Sequence, residues 1–362
     1  MRKFLILVTV LCLLLGCSKE SEGNRTQKET EALTSNTVED NDPKNVPESE
    51  IAPTPAQTDG NGPSSIDLSL KPNEAGQVMI LMYHNIGPEE EEWVRTPENF
   101  RRDLENLYEK GYIPVRLTDF VQGKLDIPAG KTPYVITFDD ARENNFRYLE
   151  DGNIDPNCAV GILLDFAKAH PDIQPHATFF ANGEVPFRVK GEEQKKVAFL
   201  LENGMDLGNH TVDHPDFTDL HLEDTIHEVG HQAQYLESLL EIDYKINTLA
   251  LPFGSRPEEE AAKAAVVKGN YNGFEYENIA VLNVGWDPVP SPYHKGFDPV
   301  QLNRIRASEI HVDNVGIYDW LKYFDENPEL RYISDGDSNF LTVPHTAANE
   351  VNTPGSMRLF IY

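Results

Sequence analysis

The tightest constraint on the fold is a pair of short, uninterrupted apolar runs, residues 78–82 (VMILM) and 134–138 (YVITF), separated by a stretch of helical periodicity. A strand with one wet face alternates apolar and polar residues, whereas a run with no polar member is the pattern of a strand covered on both faces. Residues 177–180, 248–251 and 279–284 read the same way. Between the first two runs, residues 97–110 place Phe100, Leu104 and Leu107 on one helical face, with Pro97 suited to a first turn and Gly111 to a stop. Residues 192–203 end similarly at Gly204. Buried strands alternating with amphipathic helices make βα units and a parallel sheet, and their number over this length predicts a single α/β barrel with no internal repeat. Functional side chains are then expected where strands run out into loops at their C-terminal ends.

The first residues bear on compartment. Arg2 and Lys3 precede an apolar run over residues 4–15, too short to span a bilayer, and the run ends Leu14-Leu15-Gly16-Cys17. This resembles a bacterial lipobox, which implies a signal peptide over residues 1–16, lipid on Cys17 and an extracytoplasmic, membrane-anchored protein. Residues 17–76 are rich in Glu, Ser, Thr, Asn and Pro and poor in aromatics, and are read as a flexible tether. Residues 77–362 are left for the folded domain. With Cys12 in the excised segment and Cys17 acylated, only Cys158 remains, so no intrachain disulfide is expected. The formal net charge of −29 argues against nucleic acid as a partner, since a phosphate backbone would be repelled. Nothing calls for more than a monomer.

The chemistry lies after the strands. Asp139 and Asp140 follow the buried run 135–138, so two carboxylates emerge together at a strand end. Residues 208–214 (GNHTVDH) follow a brief strand over 205–207 and place His210 and His214 four residues apart in its loop. Two neutral imidazoles and one carboxylate make a three-ligand zinc site with a position left open for water and substrate, and the second aspartate is free to take the water's proton.

On these motifs the sequence resembles the NodB-homology polysaccharide deacetylases, carbohydrate esterase family 4, whose first motif is TFDD and whose second is H[ST]xxH. The resemblance covers residues 77 to about 290 and implies a distorted (β/α)7 barrel. It also implies Asp139 as catalytic base and Asp140, His210 and His214 as ligands of one divalent metal ion, zinc by the donor set. Residues 81–86 (LMYHNI) look like the start of the subgroup acting on poly-N-acetylglucosamine, which makes His84 the candidate general acid, with His311 as the alternative. The family's third motif usually begins with an arginine that orients the base; here the matching run is ALPFG, and Ala250 stands in the arginine's place. That leaves Arg142 or Arg304 to orient Asp139, while the Phe253 backbone N–H remains available to an oxyanion. Trp286, Asp287, Trp93 and Tyr293 are candidates for a sugar-stacking wall. The segment 142–173 has no assigned role.

A second metal motif competes. Residues 227–231 (HEVGH) satisfy the H-E-x-x-H pattern of helical zinc proteases. Leu222, Ile226, Val229, Ala233, Leu236 and Leu240 define the core stripe of that helix, which points His227 and His231 toward solvent and argues against a protease site. The implied activity is metal-dependent hydrolysis of N-acetyl groups from a polysaccharide containing N-acetylglucosamine. The alternatives are a non-catalytic glycan-binding lipoprotein that keeps the metal site, and an esterase acting on O-acetyl groups of a xylan-type glycan.

Overall fold

The computed structural model describes residues 65–240 and 243–362. The segment expected to be a signal peptide, Cys17 and residues 17–64 of the expected tether lie outside the described residues. Nine strands form the central sheet: β1 (Gln77–Tyr83), β2 (Tyr112–Pro114), β3 (Thr132–Phe138), β4 (Thr178–Ala181), β5 (Asp206–Asn209), β6 (Thr248–Ala250), β7 (Ala280–Leu282), β8 (Val289–Pro290) and β9 (Ile305–Arg306). Its path runs β7-β6-β5-β4-β3-β1-β8, with β9 also on β1 and β2 on β3. All pairings are parallel except β1 with β8. Helices α1 (Pro97–Glu109), α2 (Leu117–Val121), α3 (Ala159–Ala169), α4 (Glu193–Glu202), α5 (Leu222–Ile226), α6 (Gln232–Ser238), α7 (Glu260–Val267) and α8 (Ile317–Glu326) accompany it. This curled, mostly parallel sheet with surrounding helices forms a half-barrel, in keeping with the α/β barrel that the apolar runs predict and with the distorted (β/α)7 form that the resemblance implies.

Strand residues alternate between two apolar layers, as side chains on a pleated strand must. Met79, Leu81 and Tyr83 of β1 join Ile136, Phe138 and Phe179 on one face, while Val78 and Ile80 join Val135, Phe180 and Leu282 on the other. The expected helix over 97–110 is α1, begun by the Thr96 side chain accepting from the Asn99 N–H at 3.2 Å, with Phe100, Leu104 and Leu107 buried. Cys158 is buried and begins α3, its Sγ accepting from the Gly161 N–H at 3.4 Å. Gly208 is required by space, because a Cβ there would stand 2.4 Å from the Phe180 ring on the neighbouring strand.

Two boundaries move. Packing starts ahead of Gln77: Ile66 and residues 73–76 are buried, and Glu74 accepts from the Thr342 N–H at 2.8 Å. The carboxylate composition that marks 65–76 as linker instead supplies a buried hydrogen-bond acceptor. The helix expected over 222–240 is interrupted by one π turn, His227–His231, between α5 and α6. A π turn adds a residue, so the faces on either side of it are not in one register.

Register fixes the site. Tyr83 pairs with Phe138 and Ala181 with Asn209, so β1 ends level with β3 and β4 with β5; Phe138 pairs with Phe179, so the second pair runs two residues further toward the same end of the sheet. The next residue along each, His84, Asp139, Asn182 and His210, is therefore delivered to the same C-terminal rim.

Candidate metal-dependent hydrolytic site

At that rim Asp139, Asp140, His210 and His214 come together. Asp140, Thr211, His214 and Phe253 all hold positive φ, between 56° and 70°. Left-handed backbone in residues other than glycine costs about 1–3 kcal/mol each, and persists only where the surroundings impose it.

Asp139 is buried, and Arg304 from the segment leading into β9 grips both its oxygens at 2.7 Å. The same guanidinium donates to Thr137 Oγ1 at 3.2 Å and, through Nε, to the Asn283 carbonyl at 2.9 Å. Burial by itself would raise the Asp139 carboxyl, but the Arg304 charge outweighs it and holds the group well below the usual carboxylate range. Of the two arginines left open by the sequence, Arg304 orients Asp139. Arg142 instead reaches Asp140 Oδ2, 3.1 Å away, with its own side chain half exposed. The residue at the third-motif position, Ala250, contributes its carbonyl: it accepts from His210 Nδ1 at 2.7 Å.

That bond decides the His210 tautomer. A carbonyl only accepts, so Nδ1 carries the proton and Nε2 keeps its lone pair. Nε2 is buried, has no hydrogen-bond partner, and faces Asp140 Oδ1 at 3.9 Å. His214 Nε2 faces the same oxygen at 3.8 Å, and the three ligand atoms lie within 4.8 Å of one another. Ligand atoms bound tetrahedrally at about 2.0–2.1 Å stand roughly 3.3–3.5 Å apart. The donor set therefore fits one divalent ion once the two imidazole–carboxylate distances shorten by about half an ångström and the widest ligand separation by up to about 1.5 Å, with an orphaned buried nitrogen explained by it.

His84 closes the opposite side, its Nε2 3.9 Å from Asp139 Oδ2 and its ring 4.7 Å from that of Trp93. Burial pushes its imidazole down to about 4, against the opposing pull of Asp139 and Asp140. Its backbone carbonyl accepts from Asn145 Nδ2 at 2.7 Å, which gives part of segment 142–173 a structural task. The cleft over these groups has a volume of about 610 Å³. It continues past Trp93 into a second depression lined by Trp286, Arg306 and His311.

Other expectations fall elsewhere. His311 is 79% exposed, 3.8 Å from Glu92, and lines the second depression, whereas His84 lines the cleft with Asp139. Tyr293 is buried and donates to the Gly123 carbonyl at 3.0 Å, so it packs and is no sugar platform. Trp286 is 61% exposed. Phe253 flanks His214, ring to ring at 4.8 Å. Sequence reading missed Asn182, whose Nδ2 donates to Asp140 Oδ1 at 3.2 Å, and Arg188, which donates to the Asp140 carbonyl at 3.1 Å. Neither lies in a recognisable spacing; only the strand-end position of Asn182 signalled it.

Fold and site together define a β/α half-barrel with a metal-competent carboxylate–histidine centre. Residues 126–269 match the family model described as polysaccharide deacetylase, a stretch that includes both aspartates and both histidines but neither His84 nor Arg304. This match supports a polysaccharide deacetylase domain. Among solved structures the chain is similar to the deacetylase PplD of Streptococcus pyogenes, determined in complex with acetate, at 19% identity over 68% of this chain and 97% of that one, TM-score 0.47. It is likewise similar to a polysaccharide deacetylase of Bacillus cereus, at 15% identity over 68% of each chain, TM-score 0.49. A third, IcaB of Ammonifex degensii, is 16% identical over 65% of this chain and 94% of that one, TM-score 0.45. No curated protein matches.

Proposed function

We propose that this chain hydrolyses the acetamide of N-acetylglucosamine units in a polysaccharide, using a zinc ion held by Asp140, His210 and His214. The observation that carries the reading is the buried Arg304–Asp139 pair set at the same rim as the three ligand atoms. A glycan-binding protein that had lost catalysis has no need of a carboxylate kept ionised beside the centre; the deacetylase reading needs one. A bound zinc ion would polarise the acetamide oxygen and acidify a water, as a Lewis acid does.

The chain's own residues do the rest. Asp139, fixed by Arg304 and ionised, takes the proton of the attacking water. His84 is neutral in the resting cleft, so the proton it gives the departing amine arrives during turnover, by way of Asp139 3.9 Å away. The Phe253 N–H supplies a main-chain donor to the developing oxyanion. Trp286, 61% exposed, offers an aromatic face to a sugar ring, while Trp93, with the Arg306 guanidinium 4.8 Å from its ring centroid, forms the wall between the two depressions. We place the protein outside the cytoplasm, lipid-anchored through Cys17, with its substrate in the cell envelope or beyond it.

The test is a paired substrate assay: chitin oligosaccharides, read by new primary amine, beside O-acetylated xylan, read by acetate. Amine release dependent on Asp139 supports the proposal. Acetate from xylan with no amine from chitin would replace it with the O-acetyl esterase reading.

A further inference from the structure

The H-E-x-x-H segment, set aside as a protease site, lies directly behind the histidine loop. Its His227–His231 π turn leaves Glu228 buried, not solvated. One carboxylate oxygen, Oε2, accepts from two successive main-chain donors, the N–H of Val212 at 3.0 Å and of Asp213 at 2.9 Å. Both lie between His210 and His214.

The same turn makes further ties to the rim. Its Val229 carbonyl accepts from Asn209 Nδ2 at 2.8 Å, immediately before His210. Gln232 Nε2 donates to the carbonyls of Ala181 at 2.9 Å and Gly183 at 3.0 Å, on either side of Asn182, which touches Asp140. From outside, the hairpin formed by Lys268–Tyr271 and Phe274–Glu277 closes on the turn. A Cβ on Gly230 would stand 2.5 Å from the Tyr271 Cβ and 2.8 Å from the Tyr276 ring, so only glycine lets the hairpin seat.

The loop needs such anchorage. Thr211 and His214 hold φ of 69° and 56°, conformations that relax unless imposed. The Thr211 N–H is met by Asn209 Oδ1 at 2.8 Å, from the last residue of β5, and the His214 N–H by Thr211 Oγ1 at 3.1 Å, from within the loop. Glu228 supplies the acceptor from outside it, and a carboxylate bonded to backbone N–H groups is among the stronger neutral-backbone contacts available.

We propose that Glu228 is a positioning residue for the metal centre: its carboxylate holds the 210–214 loop in the strained shape that aims His210 and His214 at Asp140. This rests on the reading of those three residues as metal ligands. Groups that orient metal ligands without touching the metal contribute about 10–100-fold in affinity when removed, and this is the range expected here.

The experiment takes the full chain with Glu228→Ala, Glu228→Asp and Glu228→Gln. It measures amide hydrogen exchange at Val212 and Asp213 in metal-free protein, and zinc affinity by competition with a chromophoric chelator. Aspartate is one methylene too short to reach both donors; glutamine keeps an acceptor at the right distance. Expected are exchange at least ten-fold faster and zinc bound at least ten-fold more weakly in the alanine and aspartate variants, with glutamine closer to wild type in both. Should the alanine variant not fold, the aspartate and glutamine variants decide by the same two measurements. Unchanged exchange, or faster exchange with unchanged zinc affinity, overturns the proposal. Neither measurement involves a glycan, so failure of the deacetylase reading appears separately, as zinc binding without amine release.

Discussion

Two histidine pairs in this chain share a four-residue spacing and have opposite surroundings. His210 and His214 sit in a loop at the end of β5 and converge on Asp140; a buried ring nitrogen with no hydrogen-bond partner occurs in both pairs, His210 Nε2 and His231 Nδ1, so it is the convergence on a carboxylate that separates them. His227 and His231 sit on a helical turn, their rings 5.2 Å apart, with the His231 ring stacked on Tyr271 at 5.3 Å. Their neighbouring acid, Glu228, turns its Oε2 toward the 210–214 loop instead. Among the described residues, only the first pair belongs to a three-ligand group. Spacing brings two imidazoles to one side of the chain; a site also needs a third donor from another element, and parallel strands deliver one.

The comparison can be broken at several points. The largest effect is expected from Asp139→Asn, which lowers kcat about 10³-fold or more while zinc affinity stays within a few-fold of wild type, because it removes the base and none of the ligands. Equal loss of zinc would move Asp139 into the ligand set. His210→Ala is expected to weaken zinc binding by at least about 100-fold, against no change for His231→Ala; chelator competition on both variants reads the contrast between the pairs directly.

Arginines sharpen the same point. Arg304→Met strands a buried carboxylate and is expected to cost about 3–5 kcal/mol in urea unfolding. Arg142→Met, at a half-exposed pair, costs under about 1 kcal/mol. Acid exposes the state of His84. Its folded-state value near 4 lies below its ordinary 6.5, so between these the unfolded chain binds more protons and stability rises with pH. The contribution is complete above about pH 6.5 and is lost as pH falls toward 4. Melting of metal-stripped protein across that window, flattened in His84→Asn, checks the sign. The smallest effect is that of Trp286→Ala, a rise in KM of a few-fold with kcat kept, as expected of a sugar-stacking face that does not meet the reacting atoms.

Much of this was legible in order. Strand runs such as 134–138 carry their burial in composition, and Asp139 and Asp140 were assigned to the rim because they follow such a run directly. Arg304 was named but not chosen, since its approach to Asp139 spans 165 residues of chain and depends on β9 pairing with β1, which two residues of strand cannot announce. The inward turn of Glu228, inside a motif whose histidines read as solvent-facing, was not legible for a different reason. Helical periodicity assumes 3.6 residues per turn, and one π turn inside an otherwise regular pattern changes which side chains face inward. Tyr293, which the sequence left between a sugar platform and a packing role, takes the packing role, its hydroxyl spent on a carbonyl.

The central claim is that Asp140, His210 and His214 hold a metal on which hydrolysis depends. It is tested most directly by acetate release from chitin oligosaccharides with metal-stripped protein, zinc-reloaded protein and Asp140→Ala. The account predicts no release after stripping, full recovery on reloading, and none from the variant at any zinc concentration. Release that persists without metal, or survives Asp140→Ala, would contradict it.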